Sequence, residues 1–308
     1  MSQPPLNIAI LGVGRIGSTI AFQLSQIGNH KITGIARPKS KRLEQLRQDD
    51  GILNTKNQKA QITTLDHLNP QIPYDLIIVT PLAHQAQPLL PVLQQSSAKC
   101  ILFMFNTFTP ENLINTIGHE RTAFGMSFFQ ANLKPDGRLE SKITGPGTQR
   151  TVLSDPRWVE LFTSSGLPAE FEPNMPLWLR CHTPMTIALE KTMAKGHQRG
   201  SGVSWGEAMD MANGIRDCFA LIRKLGYEVY PNGKRRVDAC PKWIVAFGFW
   251  FLSRLRNLRE LFVTGTPECD AIMDAMAEVA EHAGLQKEAE RVRALKPMRG
   301  DPLRVKHG

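Results

Sequence analysis

The sequence predicts an α/β N-terminal half, a doubly wound parallel sheet with helices on both faces, followed by an all-α C-terminal domain. Two observations carry this expectation. Up to about residue 172, short continuous apolar runs alternate with helical patterns, as strands buried on both faces require. From Pro173 onward strand signals vanish and long helical patterns replace them.

Asn7–Leu11 reads as the first strand, followed at once by glycines and a helical pattern at Ile16, Ile20, Leu24 and Ile27. Lys31–Ala36, Asp75–Thr80 and Cys100–Phe105 read as the second, third and fourth strands. Ala123–Phe129 extends the sheet, and Gly137–Thr151, rich in Gly and Thr, reads as a hairpin. The second half predicts helices over Leu177–Ala194, Trp205–Leu225, Pro241–Leu261 and Pro267–Ala283, with breaks at His197–Gly202 and Tyr230–Gly233. The expected division is residues 1–172, residues 173–295, and a mobile basic tail over 296–308.

A hydrophobic content of 42% and a charged content of 21% are those of a globular chain, which excludes a disordered one. The net charge of +9 suits an anionic ligand, but by itself describes only a basic surface. Arg254, Arg256 and Arg259 beside Trp250 are spread around a helix axis, so they read as a solvated helix surface and not as a nucleic-acid stripe. Phe247, Phe249 and Phe251 read as core or as a homodimer interface. Five cysteines, odd in number and without a C-x-x-C pair, form neither a disulfide framework nor a metal site and fit a reducing, cytoplasmic setting. The first apolar run is short and lacks a basic leader, and Trp243–Leu252 is too short to cross a bilayer, so no membrane association is expected.

Gly12-Val13-Gly14-Arg15-Ile16-Gly17 fits G-x-G-x-x-G, a weak pattern alone and a specific one between a strand and a helix. Gly12 permits the tight turn, Gly14 the approach of a pyrophosphate, and Gly17 close packing of helix on strand. The N–H groups that open the helix, at Arg15 and Ile16, face the phosphates. A dinucleotide cofactor on a Rossmann-type sheet follows, with Thr80 at the end of the third strand beside it. The second strand ends in Arg37 where an NAD site carries Asp or Glu, so Arg37 is expected to pair with a 2′-phosphate, and the cofactor is NADPH. Lys39, Lys41 and Arg42 read as a solvated basic loop.

On these residues the chain resembles the ketopantoate reductases (2-dehydropantoate 2-reductases). The likeness rests on GVGRIG, Arg37, DLIIVTPLAHQ and ILFMFNTFTPENL. In the helical half it rests on Trp178-Leu179-Arg180, Thr266-Pro267-Glu268-Cys269-Asp270 and the helix end Glu281-His282-Ala283-Gly284. The resemblance implies that Asn106 lies near nicotinamide and substrate, and that Glu268 is an active-site carboxylate binding the substrate hydroxyl. Read from the residues alone, Asn106 is equally a turn residue, and Glu268 equally a favourable charge in a first helical turn.

Four positions depart from the family. Its catalytic lysine, in W-x-K, is Arg180 here; an asparagine one turn on is Pro184; a lysine after the third strand is Leu82; and an Asn-Gly pair is Asn106-Thr107. Arginine holds its proton too tightly for an efficient acid, yet it can anchor a carboxylate. His182 is therefore the candidate acid and Arg180 the candidate anchor, although residues two apart on a helix point to different faces and a lone histidine there is commonly core. The sequence thus predicts an NADPH-dependent reductase of a 2-oxo acid or related small anionic carbonyl compound, with its site in the cleft between the domains. An opine dehydrogenase-like or imine-reducing enzyme and a non-catalytic NADPH sensor are the alternatives.

Overall fold

The computed structural model of the chain describes residues 4–27, 29–145, 148–262 and 266–296. The chain divides into two compact units. One comprises residues 1–105 and 111–175; the other comprises 106–110 together with the chain from Pro176 onward.

The first unit holds an eight-stranded sheet: β1 (Asn7–Leu11), β2 (Lys31–Ile35), β3 (Thr63–Leu65), β4 (Leu76–Val79), β5 (Ile101–Phe103), β6 (Thr122–Met126), β7 (Thr151–Leu153) and β8 (Ala169–Phe171). Their spatial order is β8-β7-β6-β5-β4-β1-β2-β3. Neighbours from β3 to β6 are all parallel, and β7 turns antiparallel against β6. The strand order reverses at β1, which pairs with β2 on one side and β4 on the other. Ligands bind α/β sheets at such a switch point, outside the carboxyl ends of the strands. Helices α1 (Arg15–Gln26), α2 (Lys41–Gln48), α3 (Leu90–Gln95), α4 (Pro110–Ile117) and α5 (Pro156–Ser164) connect the strands. Ile8, Ile10, Ile20, Leu24, Ile78, Leu102 and Phe162 meet in one buried core. Ile27, read as part of the first helix, lies past its end and is exposed.

Three expectations need correction. The hairpin falls earlier than Gly137–Thr151: its strands are Gln130–Leu133 and Leu139–Lys142, and Thr151 opens β7 instead. The turn is set by Pro135-Asp136-Gly137, with Gly137 at φ +74° donating to Lys134 O at 2.7 Å. Pro241–Leu261 is two helices, because the buried Ser253 directs its hydroxyl to Trp250 O at 2.9 Å and accepts the Val203 N–H at 3.1 Å. Arg259 is buried, donating to Ser253 O and Gly200 O, so that part of the arginine run is not solvated. Most of the predicted tail, residues 297–308, lies outside the described residues.

The second unit is helical: α6 (Met175–Arg199), α7 (Trp205–Lys224), α8 (Asn232–Ala239), α9 (Lys242–Leu252), α10 (Arg256–Phe262), α11 (Thr266–His282) and α12 (Gln286–Ala294). Its core is separate, gathering Ile215, Phe219, Ile222, Met273, Met276 and Val292. Helix α6 runs unbroken through Pro184, which has no N–H to give Arg180 O; the Thr183 hydroxyl donates to that carbonyl at 2.9 Å. Of the five free cysteines, Cys100, Cys181, Cys218 and Cys269 are buried, and Cys240, at the end of α8, is partly exposed. Burial pushes the Cys100 thiol up to about 11 and Cys218 up to about 12.

Phe219 is fully buried, so Phe219→Ala is expected to cost about 3–5 kcal/mol, read as a lower midpoint in urea unfolding.

Candidate functional site

The turn after β1 is built on one close approach. Gly12 takes φ +93° and donates its N–H to Ile35 O at 2.9 Å, directing the chain off the strand. A Cβ at Gly17 would lie 2.1 Å from Gly12 O and 2.7 Å from Thr80 Oγ1, so only glycine lets α1 sit this close to β1. Thr80 donates its hydroxyl to Gly12 O at 2.5 Å, which uses that proton to hold the turn. Gly14 is different, since a Cβ there would meet nothing within 4 Å. It is also the N-cap of α1, with no side-chain cap and no acidic residue in the first turn. Open space beside the N-terminus of α1 fits a pyrophosphate.

Arg37 is exposed just past β2, and its guanidinium has no partner among the described residues. Ser40 caps α2 by accepting the Leu43 N–H at 3.2 Å, which fixes the loop carrying Arg37. An exposed guanidinium without a carboxylate neighbour in its loop fits a 2′-phosphate. Arg42, expected in the solvated loop, does something else. It donates to Val13 O at 3.0 Å, Ser18 Oγ at 2.8 Å and Gly137 O at 3.0 Å, clamping the glycine turn from behind. A run of basic residues gives no sign of which one turns inward; only the packed structure separates Arg42 from Arg37.

In the helical unit, Asn106 donates from Nδ2 to Glu268 Oε1 at 2.9 Å, joining the 106–110 segment to the first turn of α11. Asn106 Oδ1 is shielded from solvent and has no partner among the described residues. Glu268 is therefore engaged by a specific side chain, beyond any favourable interaction with the helix end. Within the segment, Thr107 Oγ1 accepts the Thr109 N–H at 3.2 Å, a local turn that holds Asn106 and Phe108 in place. Arg180 is 4% exposed, its guanidinium 4.1 Å from the Tyr227 ring centroid and 5.5 Å from that of Phe108. Asn106, Phe108, Arg180, Tyr227 and Glu268 thus belong to one unit. The sequence pointed to three of them; Phe108 and Tyr227 carried no signal, since an aromatic beside a cation is defined only by folding.

His182 lies in different surroundings. Its ring stacks on Trp178, 4.6 Å between centroids, and Lys234 sits 3.8 Å from the Trp178 centroid while donating to Trp178 O at 2.8 Å. Burial, and then the Lys234 charge, push the imidazole down to about 3. It is neutral at pH 7, which removes the ordinary titration that made it a candidate proton donor. One turn beyond Thr186, Glu190 behaves oppositely. Its Oε2 lies 3.0 Å from Cys269 Sγ, and burial, helped by the Glu268 charge, raises its carboxyl to about 7. Among the described residues no group of three or more His, Cys, Asp or Glu is placed to hold a metal, and no helix is long and apolar enough to cross a membrane.

Residues 8–156 match the profile of the ketopantoate reductase PanE/ApbA family. No curated protein matches the chain. Among solved structures, D-mandelate dehydrogenase with NADH and anilino(oxo)acetate is similar at a TM-score of 0.71 and 16% identity, covering 98% of this chain and 100% of that one. The 2-dehydropantoate 2-reductase of Porphyromonas gingivalis W83 gives 0.64 and 16%, covering 94% and 99%. NADP⁺-bound yersinopine dehydrogenase gives 0.66 and 15%, covering 94% and 91%. These neighbours share the fold, an N-terminal Rossmann-type sheet with a helical C-terminal domain.

Arg42→Met keeps the stem and removes three hydrogen bonds behind the glycine turn. It is expected to lower stability by about 1–3 kcal/mol and weaken dinucleotide binding, measured by urea unfolding and by titration of NADPH fluorescence. The two shifted groups set the pH dependence. The folded chain refuses a proton at His182 until about pH 3, while the unfolded chain takes it near the usual 6.5, so this stability is lost as pH falls between those values. Glu190 keeps its proton to about pH 7, so its contribution is complete below the unfolded carboxyl value near 4.5 and lost as pH rises through 7. His182→Phe should flatten the acid limb of unfolding free energy against pH, and Glu190→Gln the neutral-to-alkaline limb, each by an amount on the order of 3–5 kcal/mol, read from urea unfolding across pH.

Proposed function

We propose that this chain, whose residues 8–156 are a ketopantoate reductase family domain, is an NADPH-dependent reductase of a small anionic carbonyl compound, a 2-oxo acid or the C=N formed from one. The observation that carries this reading is the Asn106–Glu268 hydrogen bond, with Asn106 Oδ1 left as a shielded acceptor without a partner among the described residues. Such an atom costs about 1–3 kcal/mol unless a ligand donor meets it, and a carboxamide N–H or a substrate hydroxyl is such a donor. The carbonyl compounds and dinucleotides named for the structural neighbours are consistent with this chemistry.

Bound NADPH supplies the hydride. Gly12, Gly14 and Gly17 shape the turn, Arg15 and Ile16 offer backbone N–H groups to the pyrophosphate, and Thr80 holds the turn closed. Arg37 pairs with the 2′-phosphate and selects NADPH over NADH. Arg180 anchors the substrate carboxylate or steadies the oxygen as it becomes negative. A planar guanidinium suits either use. Glu268, oriented by Asn106, accepts the substrate hydroxyl. With neither Arg180 nor His182 suited to proton donation at pH 7, the oxygen takes its proton from water. Five free cysteines fit a cytoplasmic setting.

The test is oxidation of NADPH and NADH, followed by absorbance, against a panel of 2-oxo acids with and without amines. Turnover with NADPH is expected on at least one member. Arg37→Ala should raise KM for NADPH about 10–100-fold and leave NADH little changed, the loss of one charge-assisted pairing. Tight NADPH binding with no turnover across the panel would leave a sensor instead, and turnover unaffected in Arg180→Ala would remove the anchor.

A further inference from the structure

Glu190 lies on α6, the helix that carries Arg180, and the reaction outlined above makes no use of its carboxyl group. Its Oε2 accepts the Cys269 thiol proton at a distance of 3.0 Å, and Cys269, on α11, is fully buried. Cys269 directly follows Glu268 in the first turn of α11. A first helical turn lacks partners for its backbone N–H groups and needs side-chain contacts to fix it. Two such contacts hold this one. Asn106 Nδ2 donates to Glu268 Oε1 at 2.9 Å, and the Cys269 thiol donates to Glu190. The helix of Arg180 and the helix of Glu268 are thereby joined one residue away from the Glu268 carboxylate.

The charges around this contact make it sensitive to a proton. From α11, Cys269 and Glu268 face Glu190, and neighbouring carboxylates each disfavour the other's charge. Burial, and then the Glu268 charge, hold the Glu190 proton to about pH 7, against the opposing thiol hydrogen bond. On the same helix Lys191 donates to Leu295 O at the end of α12; burial lowers it to about 8, so it keeps its charge through neutrality. Lys191 acts on Cys269 and Asp270, with Lys195 and Lys296 beside it. When Glu190 ionises, a second negative charge therefore appears near Glu268. One such charge at about 8–10 Å changes the affinity of an anion on the order of 10-fold.

We propose that Glu190 is a positioning residue for Glu268, holding the first turn of α11 through Cys269, and that its ionisation weakens the binding of an anionic substrate there. The substrate half rests on the reductase reading; the link between the two carboxyl groups does not. Two measurements on the full chain test them separately. The first is carboxyl-carbon NMR of glutamate-labelled protein from pH 5.5 to 8.5, assigned with Glu190→Gln and Glu268→Gln. The Glu190 signal is expected to titrate near pH 7, with the Glu268 signal shifting in the same step and losing that step in Glu190→Gln. A Glu190 signal that titrates near the ordinary 4.5, or a Glu268 signal without the step, overturns the proposal.

The second is calorimetric titration of oxamate, a 2-oxo acid analogue that accepts no hydride, into NADPH-saturated protein at pH 6 and pH 8. The wild-type Kd is expected to rise about 10-fold between them, and Glu190→Gln to keep the pH 6 value at both. Cys269→Ala should already weaken binding about 3–10-fold at pH 6, the loss of one hydrogen bond, whereas Cys269→Ser keeps a donor and restores it. An equal pH dependence in wild type and Glu190→Gln, or a Cys269→Ala chain that binds as wild type does, overturns the proposal. Should Glu190→Gln fail to fold, the two Cys269 variants decide. Oxamate bound at neither pH, with the NMR step intact, refutes the reductase reading and upholds the carboxyl link.

Discussion

The approach of Gly17 to Gly12 is the constraint on which the first unit depends. With no side chain at either position, α1 begins against the end of β1, and the Gly12 carbonyl accepts the Thr80 hydroxyl from the end of β4. One contact therefore ties β1 and β4, neighbours at the switch point, to the helix that follows β1. Arg42 closes the assembly from behind through Val13 O and Ser18 Oγ. Gly14 lies between these fixed points with open space beside it, so the phosphate site is what remains when the rest of the turn is packed.

The parts that could be read from the sequence are those fixed by local rules. The strand–glycine–helix order located β1, the turn and α1, because each glycine answers a steric demand within a few residues. Apolar runs located β2, β4 and β5 for the same reason. The hairpin was misplaced because the glycines and threonines after Gly137 outweighed the Pro135-Asp136-Gly137 turn before them. The α9–α10 break was missed because it depends on Ser253 bonding to Val203, far away in the chain. Short strands such as Thr63–Leu65 and Ala169–Phe171 exist only as edges of a sheet already formed.

Around α6 the same distinction separates residue identity from residue state. That residue 180 is an arginine, two places after Trp178, is visible in the sequence. That its guanidinium lies on Tyr227 is not, nor is the effect of Lys234 on His182. A histidine read from sequence carries its ordinary titration; the same ring stacked under Trp178 and beside an ammonium does not. Pro184 illustrates the converse. It lies inside a helix that the sequence predicts unbroken, and only the structure shows that the Thr183 hydroxyl meets the Arg180 carbonyl in place of the N–H that proline lacks.

The distribution of the cysteines has a practical consequence. Four thiols are enclosed and so slow to ionise or react, whereas Cys240 is partly exposed at the end of α8, two residues before α9 begins. A maleimide dye would thus attach at one place in the unmodified chain, just ahead of α9. The protein carries its own single labelling point, and a probe there would register changes around that helix without any engineered cysteine.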